Sequence, residues 1–328
     1  MGTDMIRQSK GRRGFLIRAV KAALSATAAV ILGYGFHKAD LRQPSLEKDF
    51  TPSFPDYSVP ELKGRICIAR DSSRINALHR GLNAMGGMEE WIKPGDRVLL
   101  KVNAAFALPP VFCATTHPDL VNEITIRCFK AGAEKVIVTD NPINDPLSCF
   151  SLTGISRAAE SAGAKVILPK ADLFKSLSIP QGVLIRNWPV LFGPFEGINK
   201  VIGVAPVKDH HRSGASMSLK NWYGLLGGRR NIFHQHIHDI IKELAVMIHP
   251  TLVILDGIFT MISNGPTGGS LSDLKGTNTL IISSDPVAAD AFGATLLEKG
   301  VHDLPFIRKA EAVGAGKSDY RSLQLKQI

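Results

Sequence analysis

Lys200-Val201-Ile202-Gly203-Val204-Ala205-Pro206-Val207-Lys208-Asp209-His210-His211 is the stretch that decides the fold. After Lys200, the seven residues Val201–Val207 form an unbroken apolar run that ends in charge. A strand with one wet face alternates apolar and polar side chains, so a continuous run marks a strand covered on both faces. Similar runs recur at Arg65–Arg70, Arg97–Asn103, Lys135–Asp140, Lys165–Leu168, Leu252–Asp256 and Thr279–Ser283. Helical patterns fit between them at Ile75–Ile92, Pro118–Ala131, Ile155–Ala162, His236–Ile248 and Pro286–Glu298. This alternation predicts an α/β fold, a mostly parallel sheet with helices on both faces joined by right-handed crossovers. Ligands of such sheets sit beyond the carboxyl ends of the strands, which directs attention to the polar residues that follow each run.

The 328 residues are 45% hydrophobic and 21% charged, as in an ordinary globular chain. The net charge of +10 is concentrated at the front: residues 1–36 hold 6 Lys/Arg and 1 Asp, leaving 33 basic against 28 acidic residues behind them. With no basic run and no aromatic-rich basic strand, the body does not read as a nucleic-acid binder. Within the front segment, Arg12-Arg13-Gly14-Phe15-Leu16-Ile17 precedes an alanine-rich apolar run to Tyr34. It resembles the signal of the twin-arginine export pathway, which implies the twin-arginine translocase as a partner and a periplasmic or exported address. The apolar run is shorter than the ~20 residues of a membrane span, yet no small-x-small cleavage site follows it, so an uncleaved N-terminal anchor stays open. Residues 37–63 contain Pro44, Pro52, Pro55 and Pro60 and read as a linker, with a single α/β domain over 64–328.

The span from Lys208 to Asp239 gathers five histidines, His210, His211, His234, His236 and His238, with Lys208, Lys220 and Asn221. Imidazole is the commonest protein metal ligand, so His210, His234 and His238 are candidate metal ligands. The Ser213–Gly228 loop, rich in Ser, Gly and Lys, follows a strand and can hold an anion through backbone N–H groups and lysine charge, although it lacks the G-x-x-x-x-G-K-[ST] spacing. Lys101 and Asn103 share one face of a strand end, and Asn264-Gly265 opens a glycine-rich turn; with Lys220 and Asn221 they complete the candidate ligand set. Asp256 ends a buried run and can orient a histidine or share a cation. Asp285-Pro286 has the form of a helix N-cap followed by proline at the first position. Asp140, before Asn141-Pro142, reads either as a ligand contact or as an Asx-type turn. Cys67, Cys113, Cys128 and Cys149 form no Cys-x-x-Cys pair; Cys113, in a loop, is the reactive candidate.

Taken together, Lys101-Val102-Asn103, Thr116-His117-Pro118, Gly132–Asp140, Val207-Lys208-Asp209-His210, Ser218-Leu219-Lys220-Asn221, Asp256-Gly257, Asn264–Gly269 and Asp285–Asp290 resemble the family called domain of unknown function 362. The resemblance covers about Gly64 to Gly300. It implies no established activity. In many relatives a ferredoxin-like segment follows this domain; this chain lacks its cysteine pattern, which speaks against an intrinsic iron–sulfur cluster. The family's spacing of Pro, Lys and His after the fifth strand is kept by Pro206, Lys208 and His210, which favours His210 over His211.

The expectation is therefore an exported α/β protein with a Lys/His/Asp site for an anionic ligand or metal. Lys208, His210 and Asp256 are the candidates for chemistry. A redox or metal-assisted enzyme is one reading; the other is a non-enzymatic periplasmic binding or accessory protein serving a redox partner.

Overall fold

The computed structural model describes residues 52–328, so the twin-arginine stretch and the linker up to residue 51 lie outside the described residues. In chain order the strands are β1 (Arg65–Arg70), β2 (Arg97–Lys101), β3 (Lys135–Thr139), β4 (Lys165–Ile167), β5 (Phe174–Leu177), β6 (Trp188–Leu191), β7 (Lys200–His210), β8 (Gly214–Ser216), β9 (Leu252–Met261), β10 (Leu274–Ser283) and β11 (Gln324–Gln327). The helices are α1 (Arg74–Ala84), α2 (Pro118–Lys130), α3 (Pro146–Leu152), α4 (Ile155–Ser161), α5 (Ser218–Asn221), α6 (Ile237–Met247), α7 (Pro286–Leu296) and α8 (Pro305–Ala312). One sheet runs β11-β1-β10-β9-β7-β2-β3-β4, with β8 folded back onto β7. The β9-β7-β2-β3-β4 segment is parallel throughout. β10 runs against both β9 and β1, so the sheet is mixed but mostly parallel, as the alternation of runs predicts.

The strands are apolar on both faces because both faces are covered. Cys67, Val98, Leu100, Val136, Val138, Ile202 and Val204 point to a core shared with Leu78, Leu82, Leu120 and Ile124 of α1 and α2. Their neighbours Ile66, Leu99, Ile137, Val201 and Ala205 point the other way, to a core with Ile240, Leu244, Val287 and Phe306 of α6, α7 and α8. This period-two division of each strand is what a two-faced sheet demands.

The elements depart from the sequence expectation where local signals are short. α1 stops at Ala84 because Gly86 and Gly87 take φ of 103° and 91°, which ends the helix that the pattern carried to Ile92. The ribbon of β5 and β6, the short β8 and β11, and α3 and α8 are not among the expected elements; strands of three or four residues carry too few positions to show a period. The expected linker ends sooner than residue 63. Tyr57 is 1% exposed, its N–H donates to His249 O at 3.0 Å, and Thr251 Oγ1 donates to Tyr57 O at 2.7 Å. Burial of an aromatic side chain contributes enough to hold this proline-containing segment against the body.

Candidate functional site

The carboxyl ends of β2, β3 and β7 converge on a cleft lined by Asn103, Phe106, Asp140, Lys208, His210, Lys220, Tyr223, Arg230 and His234, with a cavity of about 60 Å³ between them. That is room for a few waters or one small polar group.

Lys101, at the end of β2, is fully buried behind the residues that line the cleft and is paired rather than a free charge. Its Nζ lies 2.7 Å from Asp140 Oδ1 and donates to Val102 O and Asn221 O at 2.7 and 2.8 Å. Asp140 Oδ2 accepts from Ala104 N at 2.7 Å. Asp140 is thus a partner of Lys101, beyond the turn role that its sequence context also allowed. Burial lowers the Lys101 pKa while Asp140 raises it. Asn221 joins the layers: its Nδ2 donates to Lys101 O at 3.1 Å, and its Oδ1 accepts from Asn103 Nδ2 at 3.3 Å.

Lys208 and Lys220 differ from Lys101 in having no carboxylate partner among the described residues. Lys208 is buried, donates to Ala114 O, and approaches Asn103 Oδ1 at 3.5 Å and the Phe106 ring at 5.2 Å. Lys220 stands on α5, whose first turn is held by Asp290 of α7. Asp290 Oδ1 accepts from Ser218 N at 2.8 Å and Ser218 Oγ at 2.5 Å, and Oδ2 accepts from Leu219 N at 3.1 Å. Burial pushes the Asp290 carboxyl up to about 7. Burial, reinforced by Lys220 and opposed by the Asp140 carboxylate, pulls Lys208 down to about 7; burial, reinforced by Arg230, does the same to Lys220. Arg230 is itself held by carbonyls: Nη2 donates to Pro142 O at 2.8 Å and Nη1 to Leu226 O at 3.1 Å.

His210 is 4% exposed, and its Nδ1 accepts from Arg212 N at 3.2 Å and Ser213 N at 3.4 Å. Because Nδ1 is an acceptor, the neutral ring carries its proton on Nε2 and offers a donor. Burial first, then Lys220 and Lys208, hold its pKa down at about 2. His211 and His234 both lie nearly parallel to its ring, with centroids at 5.1 and 6.2 Å.

The structure brings together Lys101, Asn103, Lys208, His210, Lys220, Asn221 and His234 of the expected set. It separates the others. Asp256 does not orient His210, because β9 runs on to Met261 and the carboxylate meets Arg74 Nε at 2.6 Å and Ile258 N at 3.0 Å. Asn264 donates to Asp273 Oδ1 at 2.6 Å, and Gly265 packs where a Cβ would lie 1.9 Å from Asp209 O; both are turn residues beside the site. His238 stacks on Phe306 at 6.2 Å instead of joining His210 and His234, because the 3-10 turn Arg230–His236 breaks the helical register before α6 begins. Among the described residues no three His, Cys, Asp or Glu side chains are grouped to hold a metal. Cys113 is buried and its thiol is pushed up to about 11 by burial, which removes the reactivity expected of a loop cysteine. Tyr223 and Arg230 also line the cleft and are not among the expected site residues; the sequence signal for them is their place within and just after the lysine-bearing loop.

A family model described as Domain of unknown function (DUF362) matches residues 98–295. A thylakoid-associated protein of Synechocystis sp. is 27% identical over 254 residues, covering 74% of this chain and 75% of that protein. Among solved structures, the lactate racemase apoprotein from Thermoanaerobacterium thermosaccharolyticum aligns with a TM-score of 0.39 and 12% identity, over 74% of this chain and 58% of that one. A protein from Thermotoga maritima aligns with a TM-score of 0.31 and 11% identity, over 59% of this chain and 52% of that one. The chain thus spans little more than half of either solved structure, and the fold described above rests on its own sheet.

Proposed function

The chain belongs to the Domain of unknown function (DUF362) family, and from that premise we propose that its strand-end cleft binds a small anion, a carboxylate or a phosphate. The observation that carries this reading is the pair Lys208 and Lys220: both buried, both facing one cleft beside Arg230, and neither paired with a carboxylate among the described residues. A buried cation without a counter-ion costs several kcal/mol, and sites that keep such a cost tend to recover it on binding. An anion in the cleft would supply the missing charge, and the Nε2–H of His210 would add a directional bond.

The same lysines support a catalytic version of this reading. An amine whose pKa sits at about 7 is present in both protonation states near neutrality and can exchange a proton with a bound acid. A thermal-shift series with phosphate, acetate and small hydroxy and oxo acids tests the binding reading, since a ligand at 100 times its Kd stabilises by about 2.7 kcal/mol. Stabilisation by one or more of these anions that disappears in the Lys208→Met, Lys220→Met double variant is the expected result. Equal shifts in both proteins would refute the site.

The address is proposed from the sequence of the first 36 residues. Arg12-Arg13 would hand the folded domain to the twin-arginine translocase. The Synechocystis relative is thylakoid-associated by name, which is compatible with a membrane-proximal site of action here. Cell fractionation after Arg12→Lys and Arg13→Lys replacement tests this: cytoplasmic accumulation supports it, and unchanged distribution refutes it. A redox partner remains the accessory version of the function; co-purification with such a protein would support it.

A further inference from the structure

We propose that Lys220 is a nucleophile whose amine forms an imine with the carbonyl carbon of a small 2-oxo acid, the acid's carboxylate being held by Lys208 and Arg230. This rests on the anion-site reading and assigns one of its cations a covalent role.

The three cations of the cleft are not equivalent. Lys208 is tied to Ala114 O and Asn103, and Arg230 to Pro142 O and Leu226 O, so both have fixed positions suited to holding a carboxylate. Lys220 is 9% exposed yet makes no hydrogen bond and no ion pair among the described residues; its Nζ lies 5.3 Å from the Tyr223 ring centroid. A buried amine with no acceptor is free to move toward a ligand atom. Burial and the adjacent Arg230 hold its pKa at about 7, so a substantial share is neutral and carries a lone pair at neutral pH. A desolvated lysine beside a second cation is a standard way of activating an amine toward carbonyls.

The step balances without an added oxidant or reductant. The Nζ lone pair attacks the carbonyl carbon, a C–N bond forms, and the carbonyl oxygen leaves as water carrying the two amine protons. The product is an imine whose nitrogen sits beside the acid's carboxylate. His210 Nε2–H on the cleft wall can donate to the oxygen as it gains charge.

The test treats the full chain with pyruvate, or with propionate as a control of similar size without the 2-oxo group, then adds sodium borohydride and maps the peptides by mass. One reduced pyruvate on the peptide carrying Lys220, absent with propionate and absent in Lys220→Arg, is the expected result. Lys220→Arg removes the primary amine while leaving a cation at that position, so loss of the adduct there reports on the nucleophile. Formation of the adduct should peak near pH 7, because the neutral Lys220 amine reacts while the protonated Lys208 holds the carboxylate. If pyruvate stabilises the protein but no adduct forms at Lys220, the imine is refuted and the anion site stands. Adducts scattered over surface lysines and unchanged in Lys220→Arg also refute it. If neither acid stabilises the protein, both the imine and its anion-site premise fail for carboxylates.

Discussion

Lys101 Nζ lies 2.7 Å from Asp140 Oδ1 across the ends of β2 and β3, with both side chains buried, and Asp140 lines a cleft whose two lysines form no ion pair among the described residues. One lysine is therefore neutralised within the fold, and the proposed anion site rests on the other two, although all three follow or end strands in the sequence. The contrast separates stability from binding.

Replacing the lysines by methionine should give opposite signs. Lys101→Met leaves Asp140 buried without its counter-ion and should destabilise by about 3–5 kcal/mol, as broken buried pairs do. Lys208→Met and Lys220→Met remove a buried unpaired charge while keeping much of the volume, and should be neutral or stabilising by about 1–3 kcal/mol while binding is lost. Urea denaturation of the three variants checks this; a Lys208→Met protein as unstable as Lys101→Met would show that Lys208 is structural too.

Anion binding should weaken as pH rises through about 7, because the protonated amines bind and both lysines have pKa values pulled down to about 7. Each lysine that must be protonated adds up to about tenfold per pH unit above its pKa. Folding should respond the other way. These lysines hold protons more weakly in the folded chain than in the unfolded one, so their unfavourable contribution is full below about pH 7 and fades toward pH 10. Calorimetry and denaturation at several pH values check both signs, and both slopes should flatten in the double methionine variant.

Asp290 should act on binding without touching the ligand. Its carboxylate accepts from Ser218 N, Ser218 Oγ and Leu219 N at the start of α5, two residues before Lys220. Asp290→Asn turns one acceptor into a donor facing these N–H groups and should cost about 1–3 kcal/mol of stability. It should also weaken anion affinity several-fold, while the pH midpoint set by the lysines stays in place. Loss of stability with unchanged affinity would confine Asp290 to structure.

Gly224 is fixed by the ion pair. A Cβ there would lie 2.2 Å from Asp140 Oδ1 and 2.9 Å from Lys101 Nζ. Gly224→Ala should destabilise by at least about 2 kcal/mol, whereas Gly269→Ala, with nothing within 4 Å of the new carbon, should stay within about 0.5 kcal/mol. Comparable thermal midpoints for the two variants would contradict the close packing at Gly224.

The sequence made the strands legible because a two-faced sheet writes itself as apolar runs, and it placed Lys101, Lys208 and Lys220 near the site because ligands gather at strand ends. It could not tell a paired lysine from an unpaired one. That distinction depends on Asp140, which is distant from Lys101 in the chain and adjacent only once β2 and β3 pair. Asp256 misled for the same reason: its partner Arg74 comes from α1, and nothing in the run Leu252–Asp256 shows that β9 continues to Met261. His234 and His238 stand four residues apart and would share a face of a regular helix, but the 3-10 turn that ends at His236 breaks that alignment.

The most direct test of the central claim is isothermal titration of wild type and of the Lys208→Met, Lys220→Met double variant with phosphate and pyruvate at about pH 6.5, where the lysines are mostly protonated. The anion-site account expects saturable one-site binding of at least one of these anions to the wild type and none to the folded double variant. Binding of equal strength to both proteins, or to neither, would contradict it.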